Sequence, residues 1–297
     1  MSKPKPYPDL FDELLVQLET NWQGLPDKPE ETPHSTLCTL WHFVAPDETE
    51  LLRLLTPEEA VRIKDLVARR MAGEPLAYLI GRQHYMGLAL MTSPDAMIPR
   101  KETELLGETA LQIARQLAAQ RGRLQALDLC TGSGNVALAL AHYVTEYHGI
   151  GSDISENAVS LAQRNASVLG VVDRVQFVAG DLFEPFDRAT YLHAFDLITC
   201  NPPYIATANA EKMADEIAQY EPREAFDGGP FGINVMMRLV REAPRFLKPA
   251  SWLVFEVGLG QGEVMQRMME KTAAYQPIET RQDEHSNIRV LLGQSHG

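Results

Sequence analysis

Apolar runs and amphipathic helical segments alternate from residue 124 to the C-terminus, and this alternation limits the folds open to the chain. Such alternation implies right-handed βαβ crossovers and a mainly parallel sheet that helices cover on both faces. The predicted strands are 124–129, 148–152, 175–179, 195–200, 252–257 and 288–292, and the predicted helices between them are 136–144, 156–169, 234–247 and 262–271.

Composition narrows the function classes. The 297 residues, 45% of them hydrophobic, suffice for one large domain or two ordinary ones. A net charge of −13 disfavours a large phosphate-binding face, so we expect no direct nucleic-acid binding, and it suits a basic protein or a cationic small molecule. Cys38, Cys130 and Cys200 show no metal-ligand spacing, and we expect no metal site. No signal peptide or membrane-spanning run is evident, which favours the cytoplasm.

Residues 1–75 predict a small helical N-terminal domain. A helix runs to about residue 20, a weaker apolar segment spans 35–44, and the capping box Thr56-Pro57-Glu58-Glu59 opens a third helix. No cluster of reactive side chains accompanies them, so docking of a partner is the expected role. The β-prone residues 76–100 predict a β bridge, and 101–297 form the remaining domain.

A glycine-rich segment follows the first strand of the predicted sheet, where Gly132 and Gly134 allow a tight turn close to a ligand. Asp153 ends the next strand, 21 positions after Gly132, where a carboxylate accepts hydrogen bonds from both hydroxyls of a ribose. A nicotinamide dinucleotide and S-adenosylmethionine both carry that ribose. These residues alone therefore leave the cofactor open.

Two further strand ends carry polar groups. Asp181 follows the third strand and can accept from an adenine amino group, with Leu182 or Phe183 packed on the ring. Asn201-Pro202-Pro203-Tyr204 follows the fourth, where two prolines remove backbone donors and leave rigid carbonyls beside the Asn201 amide. This loop can hold a planar amide or amidine nitrogen by its hydrogens, with Tyr204 as an aromatic wall. It offers no hydride-transfer chemistry and favours methyl transfer.

From about residue 70 onward, the chain resembles the protein-(glutamine-N5) methyltransferases, a HemK-like family that modifies release factors and has a sister branch acting on a large-subunit ribosomal protein. The likeness rests on the four strand-end motifs and on the segments 70–81, 98–104, 221–232 and 255–258. The resemblance implies an α/β fold: a seven-stranded, Rossmann-like class I domain dependent on S-adenosylmethionine, with a helical N-terminal domain that helps dock the protein substrate.

Some positions depart from the family pattern. Cys130 stands where release-factor enzymes commonly have glycine and resembles the ribosomal-protein branch, whereas residues 221–232 fit the release-factor branch better. Lys101 replaces a usual proline, and Leu182 stands where some members stack an aromatic ring on adenine. The preferred acceptor is a release factor, and a ribosomal protein stays open.

The resemblance also implies roles for individual residues. Asn201 through its side-chain carbonyl and Pro202 through its main-chain carbonyl each accept one hydrogen of the acceptor amide, and Tyr204 packs against it. We expect Asn201, Pro202 and Tyr204 to be catalytic and, with Pro203, to bind the acceptor. The expected cofactor-binding residues are Asp128, Cys130, Thr131, Gly132, Ser133, Gly134, Asp153, Asp181, Leu182 and Asn201.

Other functions remain open at this point. An adenine-N6 nucleic-acid methyltransferase would share the Asn-Pro-Pro-Tyr loop, because adenine also offers a planar amino nitrogen, although the negative charge argues against it. The chain could also be a small-molecule N-methyltransferase. A cofactor-sensing or scaffolding protein with an inactive site is the alternative from a different class.

Overall fold

The structure is a computed structural model of the chain, and it describes residues 9–22, 24, 28, 30–47, 53–210 and 219–296. The described residues fall into two compact units. The first comprises those up to Arg82 together with 219–220, and the second comprises those from Gln83 to 210 and from Glu221 to 296. Within these ranges, no helix is both long and apolar enough to cross a membrane.

The first unit is helical, as the sequence predicts. Thr56 caps the third helix: its hydroxyl accepts from the Glu59 N–H, and the Glu59 carboxylate accepts from the Thr56 N–H. Buried Phe11 and Trp41 pack edge to face in its core, with ring centroids 5.5 Å apart. The described helices of this unit are α1 (Asp9–Asn21), α2 (Pro33–Val44), α3 (Pro57–Met71) and α4 (Leu76–Ile80).

The β element expected from residue 76 is wrong in its first part. Leu76–Ile80 forms the helix α4, and Gly81, with φ of 69°, ends it in the left-handed conformation. Leu76 and Leu79 are buried against the helical core, which favours a helical turn over an extended segment. The β structure begins at Arg82, with a two-stranded sheet of β1 (Arg82–Tyr85) and β2 (Leu88–Met91).

The second unit contains the expected seven-stranded sheet, in the order β5-β4-β3-β6-β7-β9-β8. The pairs β5/β4, β4/β3, β3/β6 and β6/β7 are parallel, and β9 is antiparallel to both β7 and β8. The strands are β3 (Leu124–Leu129), β4 (Tyr147–Asp153), β5 (Val175–Ala179), β6 (Phe195–Cys200), β7 (Leu247–Glu256), β8 (Tyr275–Gln282) and β9 (Ile288–Ser295). The described helices are α5 (Glu104–Arg121), α6 (Asn135–Tyr143), α7 (Glu156–Val168), α8 (Thr207–Ala210), α9 (Asn234–Glu242) and α10 (Gly262–Thr272).

One strand and one helix of this unit differ from the prediction made from the sequence pattern. Strand β8 is missed because it lies at the sheet edge, where only Tyr275 is buried and polar residues fill most of the remaining positions. The predicted helix 234–247 is too long: α9 ends at Glu242, Pro244 lies in a short 3₁₀ turn, and β7 already begins at Leu247.

Strand register brings the predicted motifs to one edge of the sheet. Leu129 at the end of β3 is aligned with Ser152 on one side and with Cys200 on the other. Asp153 at the end of β4 is aligned with Ala179 in β5. The loops that follow these four strands therefore begin side by side at the carboxyl edge, as the parallel topology predicts.

A buried carboxylate joins several elements below this edge. Asp196 in β6 is 1% exposed and accepts hydrogen bonds from Arg121 Nη1 at 2.7 Å, Lys248 Nζ at 2.7 Å and the Gln125 N–H at 2.9 Å. Burial alone would raise the pKa of Asp196, but the donors Lys248, Gln125 and Arg121 outweigh it and lower the pKa below its ordinary value. The ionised carboxylate therefore stabilises the packing of α5 with β3, β6 and β7.

Replacing this carboxylate tests its contribution. Asp196→Asn keeps the side-chain size but removes the charge, and we expect it to lower the free energy of unfolding at pH 7 by about 1.5–3 kcal/mol. Because the folded-state pKa is lowered, the stabilisation is present above the unfolded-state pKa of about 3.9 and is lost as the pH falls through the folded-state value. Urea unfolding along an acid series should show the variant and the parent converging below about pH 4.

The matched control is Asp187→Asn, because Asp187 pairs with Arg245 at the surface, where both side chains are exposed. It should leave the unfolding free energy nearly unchanged. Equal stability of Asp196→Asn and the parent at pH 7 would contradict the structural role of Asp196.

Candidate active site

The Asn201–Tyr204 loop leaves the buried strand β6 and is clamped by two other segments. The Ile205 N–H donates to the Phe226 carbonyl at 2.9 Å, and Gly228 N–H donates to the Ile205 carbonyl at 2.8 Å. A Cβ atom at Gly228 would lie 2.5 Å from the Pro203 carbonyl oxygen, so only glycine permits this approach. From the other side, Gln261 Nε2 donates to the Tyr204 carbonyl at 2.9 Å. The loop is therefore held rigidly before any ligand binds.

The amide of Asn201 is half satisfied. Its Nδ2 donates to the Thr103 hydroxyl at 3.2 Å. Its Oδ1 is buried and has no hydrogen-bond partner among the described residues. A buried acceptor without a donor costs about 1–3 kcal/mol, which favours a site where a ligand supplies the missing hydrogen. The geometry thus leaves the acceptor end of Asn201 open.

A polar cluster lies behind this amide at the end of β7. Burial raises the pKa of Glu256 to about 7, against the opposing effects of the Arg289 charge and the hydroxyls of Thr103 and Tyr204. Arg289 Nη2 lies 3.4 Å from Glu256 Oε1. Thr103 therefore lies between the Asn201 amide and a buried carboxyl group. The sequence alone assigned no chemistry to Thr103 or Glu256, although both lie in segments that carry the family resemblance.

Tyr204 belongs to the same cluster. The Arg289 guanidinium lies over its ring, 6.0 Å from the centroid, and burial raises the pKa of the phenol above its ordinary value. The phenol is therefore neutral near pH 7. Its ring packs partly buried against the core beneath the sheet edge, next to Gly258.

The glycine-rich loop is tied to Asp153. Asp153 Oδ2 accepts from the Gly132 N–H at 2.9 Å, and its Oδ1 accepts from the Ser155 N–H at 3.0 Å. Burial raises the pKa of Asp153, and these backbone donors oppose the rise. Gly134 stands directly before helix α6 at the end of the loop. The carboxylate is thus fixed beside the glycine-rich loop.

Asp128 lies deeper. It is almost fully buried, its Oδ2 accepts from the Thr131 hydroxyl at 2.5 Å, and its Oδ1 accepts from the Thr199 hydroxyl at 2.7 Å. Burial raises the pKa of Asp128 to about 6, although both hydroxyls act in the opposite direction. Asp128 joins the glycine-rich loop to β6, and we expect it to act on a cofactor through that loop.

Asp181 meets a partner that sequence reasoning missed. Both of its carboxylate oxygens accept from Arg238 Nη1, at 3.1 and 2.8 Å. Arg238 lies on α9, far from Asp181 in sequence, and no local motif marks the pair. Leu182 is buried with φ of 48°, an unusual conformation for a non-glycine residue. Asp181, Leu182 and Arg238 together line one part of a cavity.

That cavity, of about 340 Å³, lies at the carboxyl edge of the sheet and brings most of the predicted residues together. The predicted residues that line it are Cys130, Thr131, Gly132, Ser133, Asp153, Asp181, Leu182, Asn201 and Pro203. The predicted residues Asp128, Gly134, Pro202 and Tyr204 are not part of the lining.

The charges of the lining favour a cationic ligand. Acidic side chains outnumber basic ones; the acids are Asp95, Asp153, Asp181, Glu224 and Asp227, and the bases are Arg100 and Arg238. Both arginines are already paired, Arg100 with buried Glu221 and Arg238 with Asp181. A sulfonium or an ammonium group fits such a lining better than a phosphate. The residues therefore fit S-adenosylmethionine, which carries both cationic groups and a ribose.

Comparison with known proteins identifies similar sequences over most of the chain. Residues 120–290 match the profile described as a methyltransferase domain, and residues 45–81 match that of the PrmC N-terminal domain. The chain is 41% identical over 239 residues to the release factor glutamine methyltransferase of Geobacter sulfurreducens, covering 80% of each protein. It is 36% identical over 285 residues to the release factor glutamine methyltransferase of Vibrio cholerae, covering 95% of each.

Solved structures show the same fold at low sequence identity. The N-terminal domain of human METTL16 in complex with SAH aligns with a TM-score of 0.52 and 14% identity, covering 99% of this chain and 96% of that one. A likeness at this identity supports the methyltransferase fold alone.

Asp153 provides the test of cofactor binding. Asp153→Ala removes the carboxylate that would accept from the ribose hydroxyls, and hydrogen bonds to a charged group are worth about 1.5–3 kcal/mol. We expect the Kd for S-adenosylhomocysteine to rise roughly ten- to hundredfold in calorimetry, with a smaller rise for Asp153→Asn, which keeps one acceptor oxygen.

The control is Asp173→Ala, which removes an exposed acid from the turn before β5. Its affinity for S-adenosylhomocysteine should equal that of the parent. Unchanged affinity in a folded Asp153→Ala protein would refute the ribose assignment.

Proposed function

Because this chain belongs to the release factor glutamine methyltransferase family, we propose that it methylates the side-chain amide nitrogen, N5, of a glutamine in a release factor. The protein is an S-adenosylmethionine-dependent methyltransferase. The observation that carries the proposed acceptor is the buried, unpartnered Oδ1 of Asn201 at the cavity. A primary amide supplies the hydrogen that this oxygen lacks.

The Asn201–Tyr204 loop, called the acceptor loop below, can orient both hydrogens of that amide. Asn201 Oδ1 would accept one, and the Pro202 main-chain carbonyl, to which no described residue donates a hydrogen bond, would accept the other. With both hydrogens held, the nitrogen lone pair points out of the amide plane toward the methyl donor. Thr103 supports this arrangement because it holds the Nδ2 end of Asn201, which leaves the carbonyl end to face the acceptor. Positioning of this kind accounts for a large part of enzymatic rate enhancement.

Charge favours the same reaction. When bound, S-adenosylmethionine supplies a methyl group on a positively charged sulfur. The acidic lining of the cavity stabilises the cationic ligand and the positive charge that the acceptor nitrogen gains on alkylation. The alkylated amide nitrogen is strongly acidic and gives its proton to water, so the reaction needs no dedicated base. Tyr204, neutral at pH 7, would support the loop from behind.

Three finer assignments belong to this proposal. The helical N-terminal unit docks the protein substrate, supported by the match of residues 45–81 to the PrmC N-terminal domain. Nucleic acid is not the acceptor, because a net charge of −13 repels phosphates. The compartment is the cytoplasm, since the free cysteines Cys38, Cys130 and Cys200 suit a reducing environment.

Asn201 is the decisive residue for the mechanism. Asn201→Ala should reduce single-turnover methyl transfer to a release factor about 10²–10³-fold, because one positioning hydrogen bond is lost, while affinity for S-adenosylhomocysteine changes little. Asn201→Asp should be less damaging, because a carboxylate still accepts the amide hydrogen. Mass spectrometry should place the methyl on a glutamine N5 in the parent reaction.

Asn209→Ala is the matched control, since Asn209 is exposed on the nearby α8. It should react at the parental rate. Parental rates in Asn201→Ala, or a methyl group on lysine, arginine or a nucleobase, would overturn the proposed function.

Thr103 tests how Asn201 is oriented. Thr103→Val removes the hydroxyl that accepts from Asn201 Nδ2 and keeps the side-chain shape. Loss of one ordinary hydrogen bond, about 1 kcal/mol, should lower kcat roughly fivefold without changing the Kd for S-adenosylhomocysteine. The control is Thr109→Val in α5, the helix that begins directly after Thr103, because the Thr109 hydroxyl donates to the Leu105 carbonyl and not to the site. Equal kcat values in the two valine variants would exclude an orienting role for Thr103.

A further inference from the structure

Two large apolar side chains stand exposed beside the acceptor loop. Phe231 is 78% exposed and Leu259 is 66% exposed. Exposed apolar side chains contribute little to folding, and where several of them surround a functional site they can form a contact surface. Phe231 and Leu259 are called the apolar rim below.

Gln261 ties both side chains to the acceptor loop. Its Nε2 donates to the carbonyls of Tyr204, at 2.9 Å, and Gly232, at 3.3 Å. Its Oε1 accepts from the Gly258 N–H at 2.9 Å. Gly232 follows Phe231 in the chain and Gly258 precedes Leu259, so one amide side chain joins the rim to the backbone of the acceptor loop.

The segment that carries Phe231 is packed tightly against that loop. A Cβ atom at Gly232 would lie 2.3 Å from the Tyr204 carbonyl oxygen, and one at Gly228 would lie 2.5 Å from the Pro203 carbonyl oxygen. The backbone on both sides of Phe231 is therefore in direct contact with the loop. Leu259 lies in a turn closed by the Gln261 N–H, which donates to the Gly258 carbonyl at 3.1 Å. Both rim side chains are thus presented from fixed positions.

The reaction requires another chain to approach this place. A glutamine side chain extends only about 5 Å from its Cα atom, as bond lengths near 1.5 Å dictate. Its amide can reach Asn201 only if the backbone of the acceptor protein lies close to the opening of the cavity. Residues on either side of the glutamine must then contact the surface around the Asn201–Tyr204 loop.

We propose that the apolar rim binds the acceptor segment that immediately flanks the methylated glutamine, through contact with its apolar atoms. This inference rests on the proposed function. It assigns Phe231 and Leu259 to recognition of the protein acceptor and gives them no part in cofactor binding, since neither lines the cavity. A free amino acid or a small amide would gain nothing from the rim.

The test compares Phe231→Ala and Leu259→Ala with the parent in steady-state methylation of an intact, purified release factor. We expect each variant to raise KM for the protein about tenfold, with kcat at saturating acceptor and the Kd for S-adenosylhomocysteine unchanged within about twofold. Phe231→Leu, which restores apolar area, should recover most of the affinity. Because the contact is apolar, the ratio of KM values should not change between low and high salt.

The matched control is Val168→Ala, which removes an apolar side chain of similar exposure, 64%, from the end of α7. It should behave as the parent does. Parental KM values in both rim variants would overturn the inference, as would a fall in kcat together with weaker S-adenosylhomocysteine binding, because the rim would then act on the site itself. Concentration-dependent dimers of the parent that Phe231→Ala abolishes would instead assign the rim to self-association.

The two levels of the proposal fail in different ways. If the parent enzyme leaves the release-factor glutamine unmethylated, both the proposed function and the inference about the apolar rim fail. If the parent enzyme methylates the glutamine but has the same KM as the rim variants, the inference about the apolar rim fails and the proposed function stands.

Discussion

One buried carboxylate joins the two halves of the site. Asp128 accepts from the Thr131 hydroxyl in the glycine-rich loop and from the Thr199 hydroxyl in β6, two residues before Asn201. The position of the glycine-rich loop is thereby set relative to the position of the Asn201–Tyr204 loop. Burial opposes ionisation and raises the pKa of Asp128 to about 6, while the two hydroxyl donors stabilise the charged form. A polar group at this depth persists because its partners satisfy it.

Rigidity of the acceptor loop follows from backbone contacts. The two prolines restrict the chain, Gly228 lets the neighbouring segment approach the Pro203 carbonyl, and Gln261 holds the Tyr204 carbonyl. A loop fixed in this way does not have to reorganise when an amide binds, which is the condition for effective catalysis by positioning. The same contacts fix the backbone next to Phe231 and Leu259, so the proposed contact surface for the acceptor chain and the Asn201–Tyr204 loop belong to one rigid unit.

Electrostatics separates the cofactor end from the acceptor end. Acidic groups dominate the cavity lining, and Arg238 neutralises only the Asp181 end of it. Asp153 stays beside the glycine-rich loop because two backbone N–H groups hold its oxygens. A cationic cofactor is therefore favoured along the sheet edge. At the acceptor end, the open hydrogen-bonding atom is the neutral Oδ1 of Asn201, which suits a neutral amide.

The sequence by itself determined the strand and helix alternation, the convergence of the four strand-end motifs and the place of Asn201 at the carboxyl edge of the sheet, because these depend on local periodicity and on parallel topology. It could not find β8, whose polar edge carries no apolar run, nor the helix at Leu76–Ile80, which owes its form to burial. Only the tertiary structure decided that Arg238 pairs with Asp181 and that Thr103 accepts a hydrogen bond from Asn201, because each contact joins residues far apart in the chain. Such pairings arise from packing, and packing leaves no periodic signal in the sequence.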